Sequence, residues 1–398
     1  MPDSVSPAAA RPLAIAFVVD RFGARFGGAE AYGVALMREL AAAGHRITVF
    51  AREYDPACGL DLPFVPIAVS RRWPGWIRSL LFARRAARAT RKGFDIVHSH
   101  MNGWCGDVEV VHVTPVRYRW RVQPMSMTRR LLSYLSLRVW AYLGLEARRI
   151  VPRPGFRVVA VSSLIAHQLR QAYGESLEAP VIAPGVTLPD ANVPDRRAAT
   201  RAEFSLAEDV YVCLLVARNP MRKGLPTVLQ ALERLPDSVH LLVVGVNAAA
   251  REHVRRAPEP LRARVHLVAE TSDVTPYYQA ADCYVHPTLN DSFGMAPLEA
   301  MSFGLPVVLS PSPWCGFAQY VRSGEDALVL SHPERPDELA EAVGRLRADA
   351  ALRQTLSTGA RRLLARHAWP EVARQYQDLY AAILRERGLN PAAHPIDQ

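Results

Sequence analysis

Cysteine is scarce in this sequence, and its spacing argues against the usual structural uses of the residue. The five cysteines are odd in number, widely separated and without a C-x-x-C pair. Disulfide frameworks and zinc sites use paired or closely spaced cysteines. The sequence therefore predicts free thiols and a location in the reducing cytosol. The residues are Cys58, Cys105, Cys213, Cys283 and Cys315.

Long apolar runs are also missing. A helix that crosses a bilayer needs about 20 consecutive apolar residues, and the longest candidate, from Leu131 to Leu145, is shorter and is interrupted by Arg138. The apolar stretch from Leu13 to Val19 lacks a basic lead and a small-residue cleavage site, which predicts a strand rather than a signal peptide. We therefore expect no membrane-spanning segment.

Lysine is almost absent, although the chain is basic. Among 48 basic residues only Lys92 and Lys223 are lysine, and the net charge is +10. A compositional bias accounts for arginine in place of lysine, but not for the excess of positive charge. That excess favours an anionic partner, which could be a nucleic acid, a phospholipid surface or a phosphorylated substrate.

The remaining composition and the pattern of apolar residues predict two α/β domains. A chain of 398 residues with 49% hydrophobic residues can fill two cores. Short β-rich runs alternate with helical patterns in both halves, which is typical of parallel sheets with right-handed crossovers. Gly44 is a natural stop for a helix over 29–43. We predict two doubly wound domains with a cleft at the carboxyl ends of both sheets.

The predicted boundaries follow from this rhythm. The N-terminal domain covers 1–188, a Pro-containing linker runs from Val186 to Arg201, and the second domain covers 202–368. A helix from Trp369 to Arg387 leads a segment, 369–398, that is expected to pack back on the first domain. The predicted strands are 13–20, 47–51, 64–69, 95–100, 109–113, 156–162, 211–218, 240–245, 265–270, 282–287 and 307–310.

The strongest motif runs from His286 to Val308, where a strand ends in polar residues and a helix follows Gly294. The amides of Phe293, Gly294 and Met295 would face an anion at the positive end of that helix. Asp291 before the helix and Glu299 inside it are spaced so that both carboxylates face the cleft, where they suit sugar and ribose hydroxyls. The alternative is a buried turn with Glu299 in a salt bridge.

Two cations mark the exit of another predicted strand. Arg218 lies at the carboxyl end of the predicted strand 211–218, and Lys223 lies in the loop that follows. Positive charge at this place suits a diphosphate leaving group, and a compact ammonium differs physically from the guanidinium used elsewhere in the chain. The alternative is an ordinary solvated loop.

A glycine loop opens the first predicted helix. Gly27 and Gly28 come directly before Ala29 and Glu30, and their spacing from Gly23 is not that of a dinucleotide-binding G-x-G-x-x-G. The loop could let a phosphate or a sugar approach the backbone, or it could be a tight turn with a structural role.

Together these segments resemble glycosyltransferase family 4, whose fold is GT-B. The resemblance covers nearly the whole chain, and within the family the chain is similar to bacterial lipopolysaccharide core glucosyltransferases. The segment before Phe64 and the segment 314–320 support this similarity. The other matching parts are the Gly27–Gly28 loop, the strand at 95–100, Arg218 with Lys223, the two-acid motif and the final helix.

The resemblance implies a donor site for a nucleotide sugar in the second domain. Arg218 and Lys223 would hold the donor diphosphate, Glu299 the ribose, and Asp291 with the amides after it the transferred sugar. The family usually has glutamate where Asp291 stands, so the charge is kept but its reach is one methylene shorter.

Further assignments also come from the resemblance. His112 occupies a place where many family members carry a histidine facing the donor sugar, with a satisfied core histidine as the alternative. Base recognition in this fold is largely by backbone around Val268–Thr271. The donor would be a UDP-sugar, and the hypothesis is hexosyl transfer with retention and without a protein nucleophile. No cofactor is expected, and since no Asp-x-Asp occurs in the chain, no metal either.

Two basic and aromatic segments lie in the N-terminal half, at 71–92 and 117–149. Such helices can lie on an anionic membrane surface, can recognise phosphates on a glycolipid, or can be ordinary solvated faces. The expected acceptor is a glycolipid or oligosaccharide, with or without phosphate. The expected location is the cytoplasm, including the inner face of the cytoplasmic membrane.

Two other functions compete with this interpretation. One is another enzyme on the same fold, such as a sugar-nucleotide epimerase or a glycogen-phosphorylase-like enzyme. The other is a nucleic-acid- or anion-binding protein that uses the basic face. Because no recognition-helix or RNA-binding motif accompanies the charge, we expect no nucleic-acid partner.

Overall fold

The computed structural model describes residues 11–101, 103–190 and 192–389. These residues form two compact units. The first unit extends to Ala183 and takes up the chain again from Trp369, and the second unit runs from Pro184 to Ala368. Each unit contains a six-stranded sheet and a buried apolar core of its own.

The sheet of the first unit has all its strands parallel, in the order β5-β3-β1-β6-β7-β8. Its centre is β1, which is apolar on both faces and almost wholly buried, as expected for an inner parallel strand. A separate short ladder joins β2 and β4. The strands are β1 (Ala14–Val18), β2 (Arg21–Phe22), β3 (Arg46–Ala51), β4 (Glu53–Tyr54), β5 (Phe64–Pro66), β6 (Ile96–Ser99), β7 (Val108–Val111) and β8 (Arg157–Ala160).

Helices connect these strands as the alternating pattern predicts. The first helix ends at Ala42, and Gly44 adopts a left-handed conformation with φ of 89°, which confirms the predicted stop. The helices are α1 (Gly28–Ala42), α2 (Gly75–Ala89), α3 (Met127–Leu135), α4 (Leu137–Ile150) and α5 (Ser163–Tyr173).

The second unit repeats the architecture with the strand order β11-β10-β9-β12-β13-β14, again all parallel. The edge strand β14 has only two residues and no sequence pattern predicted it. The strands are β9 (Tyr211–Val216), β10 (Val239–Val244), β11 (Val265–Val268), β12 (Cys283–His286), β13 (Val307–Leu309) and β14 (Leu328–Val329). The helices are α6 (Arg197–Glu203), α7 (Leu225–Leu232), α8 (Ala248–Arg255), α9 (Glu259–Arg262), α10 (Thr275–Ala280), α11 (Met295–Ser302), α12 (Pro336–Ala348) and α13 (Ala350–Arg366).

Part of the stretch predicted as a linker is helical. Helix α6 begins at Arg197, inside that stretch, because its arginines bind the start of β12. The Arg197 and Arg201 guanidinium groups lie 2.5 and 3.4 Å from the Asp282 carboxylate. A tertiary contact over more than 80 residues therefore orders a segment whose local sequence indicates a connection.

The last helix, α14 (Trp369–Glu386), packs on α1 in the first unit. The hydroxyls of Tyr376 and Tyr32 are 2.8 Å apart, and the Tyr380 hydroxyl lies 2.5 Å from Nδ1 of His98. Trp369 meets the Tyr32 ring edge-on. Residues near the end of the chain thus complete the core of the first unit.

Candidate functional site

The segment between β12 and α11 is held by tight backbone packing. Gly294, directly before α11, has a φ of 114°, which disfavours other residues. A Cβ there would lie 3.1 Å from Sγ of Cys315. The Asp291 amide donates to the carbonyl of Trp314, 2.7 Å away. The loop that carries Asp291 is therefore fixed against the segment that follows β13.

Asp291 lies between a cation and an imidazole. Its Oδ2 forms an ion pair with Nζ of Lys223 and a 3.0 Å hydrogen bond with Nε2 of His286. All three side chains are well shielded, with 20% of Asp291, 13% of Lys223 and 1% of His286 exposed. The structure thus brings together Lys223 and Asp291, which the sequence placed on two separate motifs.

The ionisation of Asp291 and of His286 depends on their neighbours in the cluster. Burial raises the pKa of Asp291, but the Lys223 ammonium and the His286 hydrogen bond outweigh it and hold that pKa below its usual range. For His286, burial lowers the pKa, with a further lowering by Lys223 and opposition from the bond to Asp291. At neutral pH the cluster therefore contains an ammonium, a carboxylate and a neutral imidazole.

Lys223 reaches Asp291 because its loop packs directly on the residues after β12. Gly224 has a φ of 91°, and a Cβ there would lie 2.0 Å from the carbonyl oxygen of Pro287. The Leu289 amide donates to the Arg222 carbonyl across 3.0 Å. Only glycine permits this approach of two loops, so Gly224 is the residue that lets the two motifs meet.

Glu299 lies on α11 and has a different partner. The Tyr278 hydroxyl, from α10, donates to Oε2 of Glu299 at 3.0 Å. Burial raises the pKa of Glu299, and the hydrogen bond from Tyr278 partly opposes that rise. The alternative interpretation expected a salt bridge here, but among the residues that the structure describes Glu299 forms no ion pair.

Arg218 forms an ion pair with another acid. Its Nη2 lies 2.9 Å from Oε1 of Glu270, and the two side chains are 48% and 63% exposed. An ion pair that is so exposed is weak and exchanges readily with water or another anion. The two predicted cations therefore pair with different acids: Lys223 with Asp291, and Arg218 with Glu270.

The residues at the end of β11 are engaged in local hydrogen bonds. The Val268 carbonyl accepts from the amides of Gly245 and Val246, at 3.1 and 3.0 Å. The Thr271 hydroxyl accepts from the Asp273 amide at 3.2 Å. Thr271 also lines a cavity of about 270 Å³ that includes Tyr277. The predicted base-recognition segment thus borders a concave surface of the second unit.

The first turn of α11 presents the predicted amides. The helix starts at Met295 with Gly294 before it, and the N–H groups of a first turn have no carbonyl four residues earlier within the helix. The Phe293 carbonyl accepts from the Phe317 amide at 2.5 Å, and the Phe293 ring packs on Phe317. Phe293 therefore anchors the start of the helix while the amide groups remain at its positive end.

In the first unit, the glycine loop leads directly into α1. Gly27 precedes the helix, and Gly28 is its first residue. A Cβ at Gly28 would meet nothing within 4 Å, whereas a Cβ at Gly23 would lie 2.4 Å from Cβ of Asp55. Steric packing among the described residues therefore explains glycine at position 23 but not at position 28.

The predicted strand 109–113 included His112, but in the structure His112 comes directly after β7, which ends at Val111. Its ring centroid is 4.4 Å from that of His100 and 5.0 Å from that of Tyr32. Nε2 of His112 is buried and has no hydrogen-bond partner among the residues that the structure describes. Burial, with the nearby charge of Arg149, lowers the pKa of His112 to about 3. The residue is thus a neutral histidine that the surrounding core leaves unsatisfied.

His98, by contrast, is satisfied. It is fully buried, bonded at Nδ1 to Tyr380 and at Nε2 to His100, 3.0 Å away. These contacts indicate a structural role for His98.

Three polar residues near the cluster have contacts that the sequence did not predict: Tyr278, Tyr284 and His286. The Tyr284 hydroxyl donates to the Val216 carbonyl at 3.2 Å and lies 3.4 Å from Nδ1 of His286. A tyrosine on an otherwise apolar, buried strand needs a partner for its hydroxyl. That need is the one sequence signal that could have indicated Tyr284.

None of the helices that the structure describes is long and apolar enough to cross a membrane. Within residues 11–101, 103–190 and 192–389, no three His, Cys, Asp or Glu side chains are grouped so that they could hold a metal ion.

Comparison with known proteins agrees with this architecture. Residues 26–188 match the family described as Glycosyltransferase Family 4, and residues 210–349 match Glycosyl transferases group 1. The chain is 30% identical to a D-inositol 3-phosphate glycosyltransferase of Geodermatophilus obscurus, with 90% of this chain and 86% of that protein covered. It is 24% identical to the lipopolysaccharide glucosyltransferase WaaG of Escherichia coli, over 89% and 93% of the two chains.

Solved structures show the same fold. A crystal structure of WaaG, a glycosyltransferase involved in lipopolysaccharide biosynthesis, matches with a TM-score of 0.77 and 21% identity over 92% of this chain and 99% of that one. The structure of Anabaena HepE in complex with UDP-glucose matches with a TM-score of 0.70 and 18% identity, over 93% and 100%. The two parallel-sheet units are therefore those of the GT-B fold class.

The fold and the matched families define a glycosyltransferase. The chain belongs to glycosyltransferase family 4.

Proposed function

We propose that the protein is a retaining hexosyltransferase that moves glucose from UDP-glucose to a lipopolysaccharide-core or other glycolipid or saccharide acceptor. The acceptor would be reached at the inner face of the cytoplasmic membrane. Two relatives support the choice of donor and acceptor, since WaaG is named as a lipopolysaccharide glucosyltransferase and HepE binds UDP-glucose.

The observation that carries the proposal is the contact of Lys223 with Asp291 beside the start of α11. A nucleotide sugar has its anionic diphosphate joined directly to a neutral, hydroxyl-rich ring. An ammonium and a carboxylate in contact, next to a helix N-terminus, match that junction. Lys223 would turn to the phosphate while Asp291 accepts from a sugar hydroxyl.

Arg218 and Lys223 would neutralise the departing diphosphate. The exposed ion pair of Arg218 with Glu270 can be exchanged for a phosphate at small cost. The amides of Phe293, Gly294 and Met295 would add positive potential at the same end of α11. With this charge supplied by the protein, the mechanism needs neither a metal ion nor a cofactor.

The other donor contacts follow the chain order of the second unit. Glu299, oriented by Tyr278, would accept from the ribose hydroxyls. Backbone groups from Val268 to Thr271 would recognise the uracil, beside the cavity that Thr271 and Tyr277 line. In the first unit we assign Gly27, Gly28 and His112 to the donor sugar and phosphate, because a Cβ at Gly28 would meet nothing within 4 Å and Nε2 of His112 has no hydrogen-bond partner among the described residues.

In the proposed reaction the bond between the anomeric carbon and the diphosphate oxygen breaks, and the oxygen of an acceptor hydroxyl bonds to the same face of that carbon. The acceptor proton passes to an oxygen of the donor phosphate, and UDP leaves. Asp291 remains ionised, because its hydrogen bond with Nε2 of His286 lowers its pKa and the Lys223 ammonium stays close by when it turns to the phosphate. No side chain acts as a covalent nucleophile.

A thermal-shift panel of nucleoside diphosphates and their sugars tests the donor. UDP and UDP-glucose should raise the melting temperature most, and EDTA should not remove the effect. An NMR spectrum of the product should show the anomeric configuration of the donor. If every nucleotide sugar leaves the melting temperature unchanged, or if the product is inverted, the proposal is wrong.

A further inference from the structure

One helix of the first unit exposes its apolar side chains and buries a polar one. Helix α3 buries only Ser133, and its apolar side chains face solvent. Their exposed fractions reach 80% for Met127 and 75% for Leu135. Leu137 and Trp140, at the start of α4, continue the same exposure. We call the exposed apolar side chains of Met127, Leu131, Leu132, Leu135, Leu137 and Trp140 the α3–α4 ridge.

The position of α3 is fixed by polar contacts on its inner side. Nη1 of Arg121 donates to Oγ of Ser133 at 2.7 Å, and the Arg121 guanidinium lies 4.1 Å from the centre of the Tyr134 ring. A helix bound through its serine and tyrosine has its leucines directed away from the protein. Apolar patches of this kind on a folded chain mark a contact surface.

The sequence stretch that carries the ridge and the stretch that carries its neighbour α2 contain basic but no acidic residues. No acidic residue occurs between Glu109 and Glu146 or between Asp61 and Asp95, and α2, from the second stretch, packs on α4. Arginine also contacts the aromatic rings at the border, as Arg129 does over Trp120. The basic residues of the two stretches are Arg71, Arg72, Arg78, Arg84, Arg85, Arg88, Arg91, Lys92, Arg117, Arg119, Arg121, Arg129, Arg130 and Arg138.

We propose that the α3–α4 ridge inserts into the outer part of an anionic lipid bilayer, with the surrounding arginines on the phosphate headgroups. Leucines and a tryptophan bordered by arginines match the vertical order of a membrane interface, with acyl chains below and charged headgroups above. A protein partner would not explain why these two stretches lack acidic residues. An anionic lipid bilayer accounts for both the exposed apolar side chains and the basic ones. The inference extends the proposed function, but lipid binding needs neither donor nor acceptor.

Flotation with vesicles tests the inference directly on the full chain. The protein should float with phosphatidylcholine vesicles that contain 30% phosphatidylglycerol and remain behind with phosphatidylcholine alone. Leu131→Ser/Leu135→Ser/Leu137→Ser should weaken binding at least about tenfold. The control Leu188→Ser/Val193→Ser/Leu389→Ser changes three other exposed apolar residues and should bind as the wild type does.

The arginines are tested in the same assay. Arg129→Gln/Arg130→Gln should lower binding about 30-fold, since each basic residue near an anionic surface contributes about 1 kcal/mol. Arg255→Gln/Arg256→Gln removes the same charge at the C-terminal end of α8 and should have no effect. Millimolar glycerol phosphate should not displace the protein, because a free headgroup offers nothing for the leucines. Displacement by it would mean a phosphate site and would overturn the inference.

A measurement on the unaltered ridge covers the case in which the serine variant misfolds. Vesicles with brominated acyl chains should quench the tryptophan fluorescence of the wild type, and Trp140→Phe should lose part of that quenching. Melting curves report folding of each variant. Absence of quenching, equal binding to neutral vesicles, or a dimer that replaces vesicle binding would each refute insertion. If UDP still stabilises the protein in those cases, the proposed donor site stands alone.

Discussion

The hydroxyl of Tyr278 donates a 3.0 Å hydrogen bond to Oε2 of Glu299, joining α10 to α11 in the second unit. The bond opposes the rise that burial causes in the pKa of Glu299. An acid that is to accept from ribose hydroxyls works best ionised, so Tyr278 has an expected function as a positioning residue.

Tyr278→Phe should therefore shift donor binding along the pH axis. UDP affinity should fall as pH is lowered through the pKa of Glu299, and without the hydroxyl that fall should occur at higher pH. At neutral pH we expect about tenfold weaker UDP binding. Titration calorimetry from pH 5 to 8 measures the shift, with Tyr211→Phe at the start of β9 as the control. An unchanged pH profile would separate Tyr278 from the donor site.

Lys223→Met should lower kcat/KM by about 100- to 1,000-fold, because a leaving diphosphate loses a directly placed charge. Lys223→Arg keeps the charge but not the compact shape and should be intermediate. Steady-state rates with UDP-glucose measure both variants. Arg222→Gln, an exposed neighbour in the same loop, is the control. Equal loss in the control would indicate a general basic surface and not a specific contact.

Asp291→Asn keeps the size of the side chain and removes its charge. Turnover should fall about 100-fold while the affinity for UDP changes little, because the carboxylate is assigned to the sugar rather than to the nucleotide. Separate measurements of kcat and of UDP binding distinguish the two effects. Glu233→Gln, directly after α7, is the control. A matching loss of UDP affinity would place the carboxylate on the diphosphate side.

Asp291→Glu tests the shorter reach of this acid. The longer side chain keeps the charge, so activity should be retained while the ratio of rates among UDP-sugars changes. Competition between UDP-glucose and UDP-galactose measures that ratio. An unaltered ratio would mean that the length of the acid does not select the sugar.

The first unit should lose stability in mild acid because of its buried histidines. Burial, with a smaller lowering by His112, reduces the pKa of His98 to about 3, against about 6.5 in an unfolded chain. Between these two pKa values His98 is therefore protonated in the unfolded chain and neutral in the folded one. The free energy of unfolding should fall as pH is lowered from about 6.5 toward 3, by up to about 1.4 kcal/mol per pH unit for each such histidine.

His98→Asn should make that pH dependence shallower even though it destabilises the fold. Urea unfolding followed by tryptophan fluorescence at several pH values gives the slope. His167→Asn, an exposed histidine of the same unit, should leave the slope as it is. A wild-type stability that is constant from pH 6.5 to 4.5 would contradict neutral burial of these rings.

The sequence predicted those parts of the molecule that local pattern determines. The strand and helix alternation, the stop at Gly44 and the helix after Gly294 depend on neighbouring residues and are confirmed. The bond of Tyr278 to Glu299, the pairing of Arg218 with Glu270 and the ordering of α6 by Asp282 join residues far apart in the sequence. Periodicity and spacing hold no information on such contacts, which only the folded chain reveals.

The return of α14 to the first unit has a consequence for synthesis of the chain. The core around β1 includes Tyr376, Tyr380 and Ile383, which follow the second unit in the chain. The second unit is contiguous from Pro184 to Ala368 and emerges complete before them. Nascent chains usually finish their N-terminal domain first; here the core of the first unit can be completed only after the whole second unit has been synthesised.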